Sequence, residues 1–375
     1  MVINSYIGKN KYDLDTPCLT IDINALIENL TIMQEFGQKH KINIRPHCKT
    51  HKCSRLAKMQ IEYGAIGVCA AKVSEAEVLI NNGIDNVLIT SPVITLNKLR
   101  RLQLCLEKSP TTLVVVDNEH NVRDLNSLGE LIKTRVSVLI DLNSGIGRTG
   151  IENKQALTFA KIISSYPWLN LVGIQCYAGN LQHVHSYQER KNRSLKVMKA
   201  ASKVLRQLNQ YGFNCSILTG TGTGTYDIDM QGTSVTEIQP GSYTVMDVEY
   251  HEIESAHDNK FTNFMNSMTL LTSVISSNKE RHVTVDAGTK GIYVDAHHKP
   301  KIINFDGLHY DWNGFGDEHG KVTAEPGYKL PTNADVIELI VPHCDPTINL
   351  YDYFYIIEQD RVVDIWEIDL RGKSQ

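Results

Sequence analysis

Eight short runs dense in Val, Ile and Leu recur along the first two thirds of the chain, at 42–46, 66–70, 86–91, 112–117, 136–143, 171–177, 215–219 and 235–239. Runs of this kind are expected of parallel strands buried on both faces. Between them lie segments of helical period, among them 74–82 and 152–164. A further helix is expected over 25–37, with Asp22 placed to cap it. Eight strands alternating with helices over about 200 residues is the count of a (β/α)8 barrel. An open doubly wound sheet shares the local pattern, because periodicity does not reveal closure.

Beyond residue 260 the pattern changes. Strand-like runs follow at 267–276, 281–287, 335–342, 353–358 and 362–368, with no long helical period between them. The last two are joined by Gln359-Asp360-Arg361, which suits a hairpin. The expected fold is therefore α/β: a (β/α)8 TIM-type barrel over 20–255, then a mostly β domain over 256–375 that residues 1–19 join.

Composition narrows the function classes. Hydrophobic residues make up 42% and charged residues 21% of the 375, which suits a soluble globular protein. A net charge of −4 argues against a nucleic-acid partner. No apolar run approaches the roughly 20 residues that span a membrane, and Met-Val-Ile-Asn-Ser-Tyr is too polar to open a signal peptide. The eight cysteines are scattered without a C-x-x-C pair, as expected of reduced thiols in the cytoplasm.

Candidate chemistry sits after the barrel strands. Arg45-Pro46-His47-Cys48-Lys49-Thr50-His51-Lys52 directly follows the first. In an extended chain Arg45, His47, Lys49 and His51 project to one side. Cationic neighbours and burial would disfavour the charged form of Lys49, and a neutral lysine can form a Schiff base with an aldehyde cofactor. The same segment also reads as a zinc site, with His47, His51 and Cys48 or Cys53, or as a solvated basic loop. A Gly-rich turn after the fifth strand presents Arg148, and the sixth strand ends in Tyr177, with His183 further on. Thr219-Gly220-Thr221-Gly222-Thr223-Gly224-Thr225 follows the seventh strand and Pro240-Gly241-Ser242-Tyr243 the eighth, where barrels often bind phosphate. In the β domain, His343-Cys344-Asp345-Pro346 places two ligand types two apart, which in an extended segment would chelate one metal with Cys344 facing away. A capped turn before Pro346 reads equally well. Asp317-Glu318-His319-Gly320 is a further polar cluster, taken as supporting.

In motif order from Thr16-Pro17 to His343-Cys344-Asp345-Pro346-Thr347, the chain resembles the D-threonine aldolase and D-serine dehydratase family of fold type III pyridoxal-phosphate enzymes. The resemblance implies an alanine-racemase-like barrel followed by a β domain, working as a homodimer. It makes Lys49 the lysine of pyridoxal 5'-phosphate, with Arg148 near the cofactor's 3-oxygen and Tyr177 near its ring nitrogen. Thr219, Gly241, Ser242 and Tyr243 would serve the phosphate side. His343 and Asp345 become ligands of a divalent metal (Mn, Mg or Zn), and His183 the base for the β-hydroxyl. Dehydratases resembling this family tend to carry cysteine at the second ligand position. The carboxylate of Asp345 therefore favours retro-aldol cleavage of a small D-3-hydroxy amino acid to glycine and an aldehyde. The alternatives are dehydration of D-serine or 3-hydroxy-D-aspartate, a metal-free racemase, and a non-catalytic pyridoxal-phosphate carrier. The β domain argues against the carrier.

Overall fold

The computed structural model describes residues 3–294, 297–312 and 315–375. By contact the chain separates into two compact units. Ile32–Lys49, Leu56–Gly241 and Gly372–Gln375 make the first; the stretch up to Thr31, Thr50–Arg55 and Ser242–Arg371 make the second.

In the first unit all eight expected strands are present: Asn43–Ile44, Val68–Ala70, Val87–Ile89, Leu113–Val116, Val136–Asp141, Leu169–Gln175, Ile217–Thr219 and Glu237–Ile238. The second to the seventh form a parallel sheet in chain order. The ring closes through the other two. Asn43 pairs with Glu237 and Ile44 with Ile238, Ile66 N donates to Ile44 O at 3.0 Å, and Thr236 N to Leu218 O at 3.0 Å. The unit is thus a closed barrel, and the open sheet is set aside. Val87, Leu88, Ile89 and Val114 to Val116 are all fully buried, which is why these runs are apolar at successive positions. Burying each such side chain stabilises the fold by about 1.5–3 kcal/mol.

Helices Val73–Asn81, Leu96–Lys108, Glu119–Ile132, Ala156–Ser164 and Tyr187–Gln210 fill crossovers. Their starts are written in the sequence. Thr95, Asn118 and Ser186 each accept a backbone N–H from the first turn. The helix expected over 152–164 divides into a 3-10 turn, Asn153–Gln155, and the α-helix proper. Asp22 caps Ile23–His40, its Oδ1 taking the N–H groups of Asn24 at 2.9 Å and Ala25 at 3.0 Å.

The second unit is built on a nine-stranded sheet. Met268–Ser276 pairs antiparallel with Cys18–Asp22, Val283–Val285 and Val336–Ile340. Tyr353–Glu358 lies parallel to Cys18–Asp22 and turns back into Arg361–Glu367. Gln359 and Asp360 have φ of 50° and 61°, as a two-residue hairpin turn requires. Glu358 pairs with Arg361, so Arg361 belongs to the strand and not to the turn expected for it. Lys301–Ile302, Leu308–Asp311 and Gly320–Ala324 are strands that periodicity did not reveal. The N-terminal segment packs within this unit, where Tyr6, Leu14 and Cys18 share a core with Leu271, Tyr355, Ile357 and Val362. The contact boundary accordingly falls after Gly241, not near 255, and Cys18–Asp22 is a strand of the β sheet. Among the described residues no helix is long and apolar enough to cross a membrane.

Candidate active site

After Asn43–Ile44 the chain turns over 48–51 instead of staying extended. Arg45, His47, Lys49 and His51 consequently take separate paths. Arg45 is buried against Glu237, with its Nη2 3.0 Å from Oε2, and its Nη1 donates to Asn86 O at 2.6 Å. The N–H of Lys49 donates to His47 Nδ1 at 3.3 Å, so His47 Nε2 carries the proton it directs to Thr90 Oγ1 at 3.1 Å. His51 is fully buried, with Nδ1 accepting from Cys53 N at 3.2 Å.

Lys49 is half-buried and lines a cavity of about 270 Å³ in the barrel unit, together with His47, Lys72, Arg148, Gln175 and Tyr177. The loop presenting Arg148 is folded by Asn143, whose Oδ1 collects the N–H groups of Gly145 at 3.0 Å and Gly147 at 3.1 Å. Ser144 Oγ donates to Tyr177 O at 2.7 Å, and the Arg148 guanidinium lies over the Tyr177 ring, 5.8 Å from its centroid. Gln175 donates to Asp141 Oδ1 at 3.0 Å, and Gln239, also in the lining, donates to Thr219 Oγ1 at 2.9 Å. Burial pushes the Asp141 carboxyl above its usual range, against hydrogen bonds from Thr149 and Gln175 that pull it down. The cavity is walled by three cationic side chains and no carboxylate. It therefore suits an anionic ligand.

The Gly-Thr loop is shaped by packing. A Cβ at Gly220 would meet Cys176 O at 2.1 Å, and one at Gly224 would meet Gln182 O at 2.0 Å. Gly224 N donates to Gln182 Oε1 at 3.0 Å, and its carbonyl accepts Arg190 Nε at 2.8 Å. That N–H is committed within the protein. Thr219 is buried and reaches the cavity lining through Gln239 and through its strand partner Gln175. His183 follows the 3-10 turn Gly179–Leu181, half-buried and outside the cavity lining. Its neighbours are fixed: Gln182 Nε2 donates to Thr225 Oγ1 at 3.1 Å, and Arg190 Nη1 donates to Val184 O at 2.6 Å. Gly241 ends its stretch of the barrel unit, whereas Ser242 and Tyr243 open the next stretch of the β unit. Both are buried, with the Tyr243 ring 5.6 Å from that of Phe264.

In the β unit, Val336–Ile340 gives way to a short helix, Cys344–Ile348, with His343 at its N-cap position. Pro346 falls in its first turn, where a missing N–H costs nothing. His343 and Asp345 are therefore not alternate residues of an extended strand, as the sequence suggested, and Cys344 is fully buried. His343 Nδ1 lies 2.9 Å from Glu249 Oε2 and 3.3 Å from Asp247 Oδ2. Burial works against a charged His343, but the hydrogen bonds to Asp247 and Glu249 outweigh it and push the ring up to about 10. Asp345 Oδ1 is 3.4 Å from Ser242 Oγ. Asp247, Glu249 and His343 bring ligand atoms within 4.8 Å of one another, and mixed nitrogen and oxygen donors suit a divalent ion. Among the described residues no other group of three such side chains meets that condition, so the zinc reading of His47, His51 and their cysteines is dropped. Sequence reasoning missed Asp247 and Glu249. The Asp-x-Glu spacing was the available signal. Glu318 of the third polar cluster pairs with Lys290 at 2.7 Å, with both side chains exposed.

Comparison with known proteins adds kinship to this geometry. Residues 21–248 match the family described as alanine racemase, N-terminal domain, and residues 267–357 match a putative serine dehydratase domain. The chain is 34% identical to a D-threonine aldolase of Arthrobacter sp over 363 residues, covering 96% of this chain and 94% of that one. It is 33% identical to a 3-hydroxy-D-aspartate aldolase of Paracoccus denitrificans (strain Pd 1222) over 371 residues, covering 98% and 95%. The crystal structure of D-threonine aldolase from Filomicrobium marinum superposes with a TM-score of 0.92 at 32% identity, covering 98% of each chain. Two dehydratases stand further off, at 21% and 22% identity over 64% and 80% of the chain.

Proposed function

The chain belongs to the alanine racemase N-terminal domain family, and we propose that it is a pyridoxal-phosphate- and metal-dependent lyase splitting small D-3-hydroxy amino acids into glycine and an aldehyde. The observation that carries this reading is the cavity holding Lys49 among cations with no carboxylate in its walls. Its donor set fits a flat, phosphate-bearing aldehyde. Lys49 supplies the amine that tethers it, Arg148 a fixed positive charge, and Tyr177 an aromatic wall. Bound there, the cofactor supplies an electron sink for the electrons left at Cα when a bond to that carbon breaks.

His183 is the group proposed to take the proton from the β-hydroxyl, and the pinned residues on either side hold its backbone in place. His343 and Asp345, with Asp247 and Glu249 beside them, fit a divalent ion such as Mn²⁺ or Mg²⁺, because carboxylates and imidazole favour such ions where a thiolate would favour zinc. The ion supplies Lewis-acid polarisation of a hydroxyl. Deprotonating that hydroxyl drives cleavage of Cα–Cβ and opposes departure of hydroxide, which favours the aldolase over the dehydratase. The greater identity to aldolases supports the same choice.

Kinship also motivates a homodimer, to be checked by sedimentation. Eight buried free cysteines are consistent with a cytoplasmic setting. The deciding experiment incubates the holoenzyme with D-threonine and analyses the products. Glycine and acetaldehyde are expected. Ammonia and a 2-keto acid as sole products would replace this reading with the dehydratase.

A further inference from the structure

Resting on the metal site just described, we propose that Asp247 is a positioning residue: it holds the His343 ring by Nδ1, so that Nε2 and the Asp345 carboxylate are left to bind the ion. Two arrangements compete. In one, Asp247 and Glu249 join His343 as direct ligands, as their clustering alone suggests. In the other, they orient the imidazole and Asp345 completes the first set of ligands.

The contacts favour the second. Asp247 is fully buried, and both of its oxygens are engaged. Oδ1 accepts the N–H of Tyr250 at 2.9 Å, capping the short helix Val248–His251. Oδ2 accepts the N–H of Cys344 at 2.9 Å and faces His343 Nδ1 at 3.3 Å. One carboxylate therefore ties together the starts of the two short helices that carry Glu249 and Asp345. The backbone reinforces the join, with Val248 N donating to Val341 O at 3.1 Å and Glu249 N to Pro342 O at 3.2 Å. An oxygen whose lone pairs already face a backbone amide and an imidazole nitrogen would have to give up one of them to reach a metal. A carboxylate on the far ring nitrogen of a ligating histidine fixes its orientation and raises its basicity. Glu249, 2.9 Å from the same nitrogen and partly exposed, assists.

Mn²⁺ titrated into the holoenzyme and followed by electron paramagnetic resonance tests this without any turnover. Wild type should bind one ion per chain, and His343→Ala and Asp345→Ala should abolish binding. Asp247→Asn should retain the site but weaken it by roughly 10–100-fold, the range for lost partners of a ligating histidine. Glu249→Gln, at a half-buried position that keeps a hydrogen-bonding side chain, should weaken it less. Unchanged affinity in Asp247→Asn would overturn the proposal, as would full binding in Asp345→Ala alongside complete loss in Asp247→Asn. A wild type that binds no Mn²⁺ would remove the metal from the proposed function. The clamp itself then stands or falls on ¹⁵N-histidine spectra of the metal-free protein. The Nδ1 proton of His343 should exchange slowly in wild type and faster in Asp247→Asn; equal exchange would end the idea.

Discussion

The cavity of the barrel unit and the histidine cluster of the β unit are electrostatic opposites. The first collects Lys49, Lys72 and Arg148 around neutral amides and an aromatic ring. The second collects Asp247, Glu249 and Asp345 around one imidazole. Within each set the like charges repel one another. Each is best understood as built for an opposite charge, an anionic cofactor in one case and a cation in the other. The β unit partly relieves its repulsion by holding a proton on His343. Each region should therefore respond to a different loss.

The sharpest way to break the contrast is to remove Lys49. Lys49→Ala should cost at least on the order of 10³-fold in turnover, as expected where both a nucleophile and an acid–base group are lost. Metal binding should be untouched. Borohydride treatment of wild type followed by mass spectrometry should place the reduced cofactor on Lys49; an adduct on Lys72 or Lys52 would show that the wrong cation had been chosen. His343→Ala probes the other region. Loss of Lewis-acid assistance is worth several kcal/mol, roughly 10²–10³-fold in rate. The visible absorbance of the bound cofactor should survive, as it should under a chelator. Full activity in a metal-free His343→Ala protein would dissolve the acidic half of the comparison.

A third test asks whether every cation near the start of the barrel serves the ligand. Arg45 does not line the cavity and is neutralised by Glu237, both being nearly fully buried. Glu237→Gln should leave an uncompensated buried guanidinium and destabilise the protein by about 3–5 kcal/mol, measured by urea unfolding. Replacing both residues with apolar side chains of similar volume should recover most of that loss. A strong fall in cofactor affinity with unchanged stability would instead assign Arg45 to the ligand.

The barrel was legible because its strands are buried on both faces, so Val87-Leu88-Ile89 and Val114-Val115-Val116 announce themselves without any partner being known. Closure was not legible, since it rests on the pairing of Asn43 with Glu237, nearly two hundred positions away. Lys301–Ile302, Leu308–Asp311 and Gly320–Ala324 escaped because they are short and half polar. Lys49, Arg148 and Tyr177 line one cavity, each following a strand that could be read. His343 was picked out by its spacing to Asp345, but the spacing was interpreted as a strand where Cys344–Ile348 is helical. Asp247 and Glu249 lie about a hundred residues away, and only folding brings them to His343. The glycines of the Gly-Thr loop illustrate another limit: their need for close packing against Cys176 and Gln182 looks, in sequence, the same as a phosphate loop.

The smallest expected effect sharpens the contrast through a second buried aspartate. Asp229 lies in the barrel unit and is as buried as Asp247, yet the two shift in opposite directions. Burial raises Asp229 to about 6, and the hydroxyls of Ser194 and Thr225 offset it only in part. Burial also opposes charge on Asp247, but His343 and two backbone N–H groups overcome it and hold the carboxyl below its usual range. Neutral hydroxyl donors are thus weaker partners for a buried carboxylate than an imidazolium. The sign of the consequence follows from proton counting. Because the folded chain holds the Asp229 proton more tightly than the unfolded chain, its stabilising contribution is complete below about pH 4 and is lost as pH rises towards 6. Two pKa units correspond to at most about 3 kcal/mol. The stability of wild type relative to Asp229→Asn, taken from thermal melts, should therefore fall between pH 4 and 6 and level off above. A difference that is flat across that window, or that rises with pH, would show that the hydroxyls hold Asp229 ionised as effectively as His343 holds Asp247.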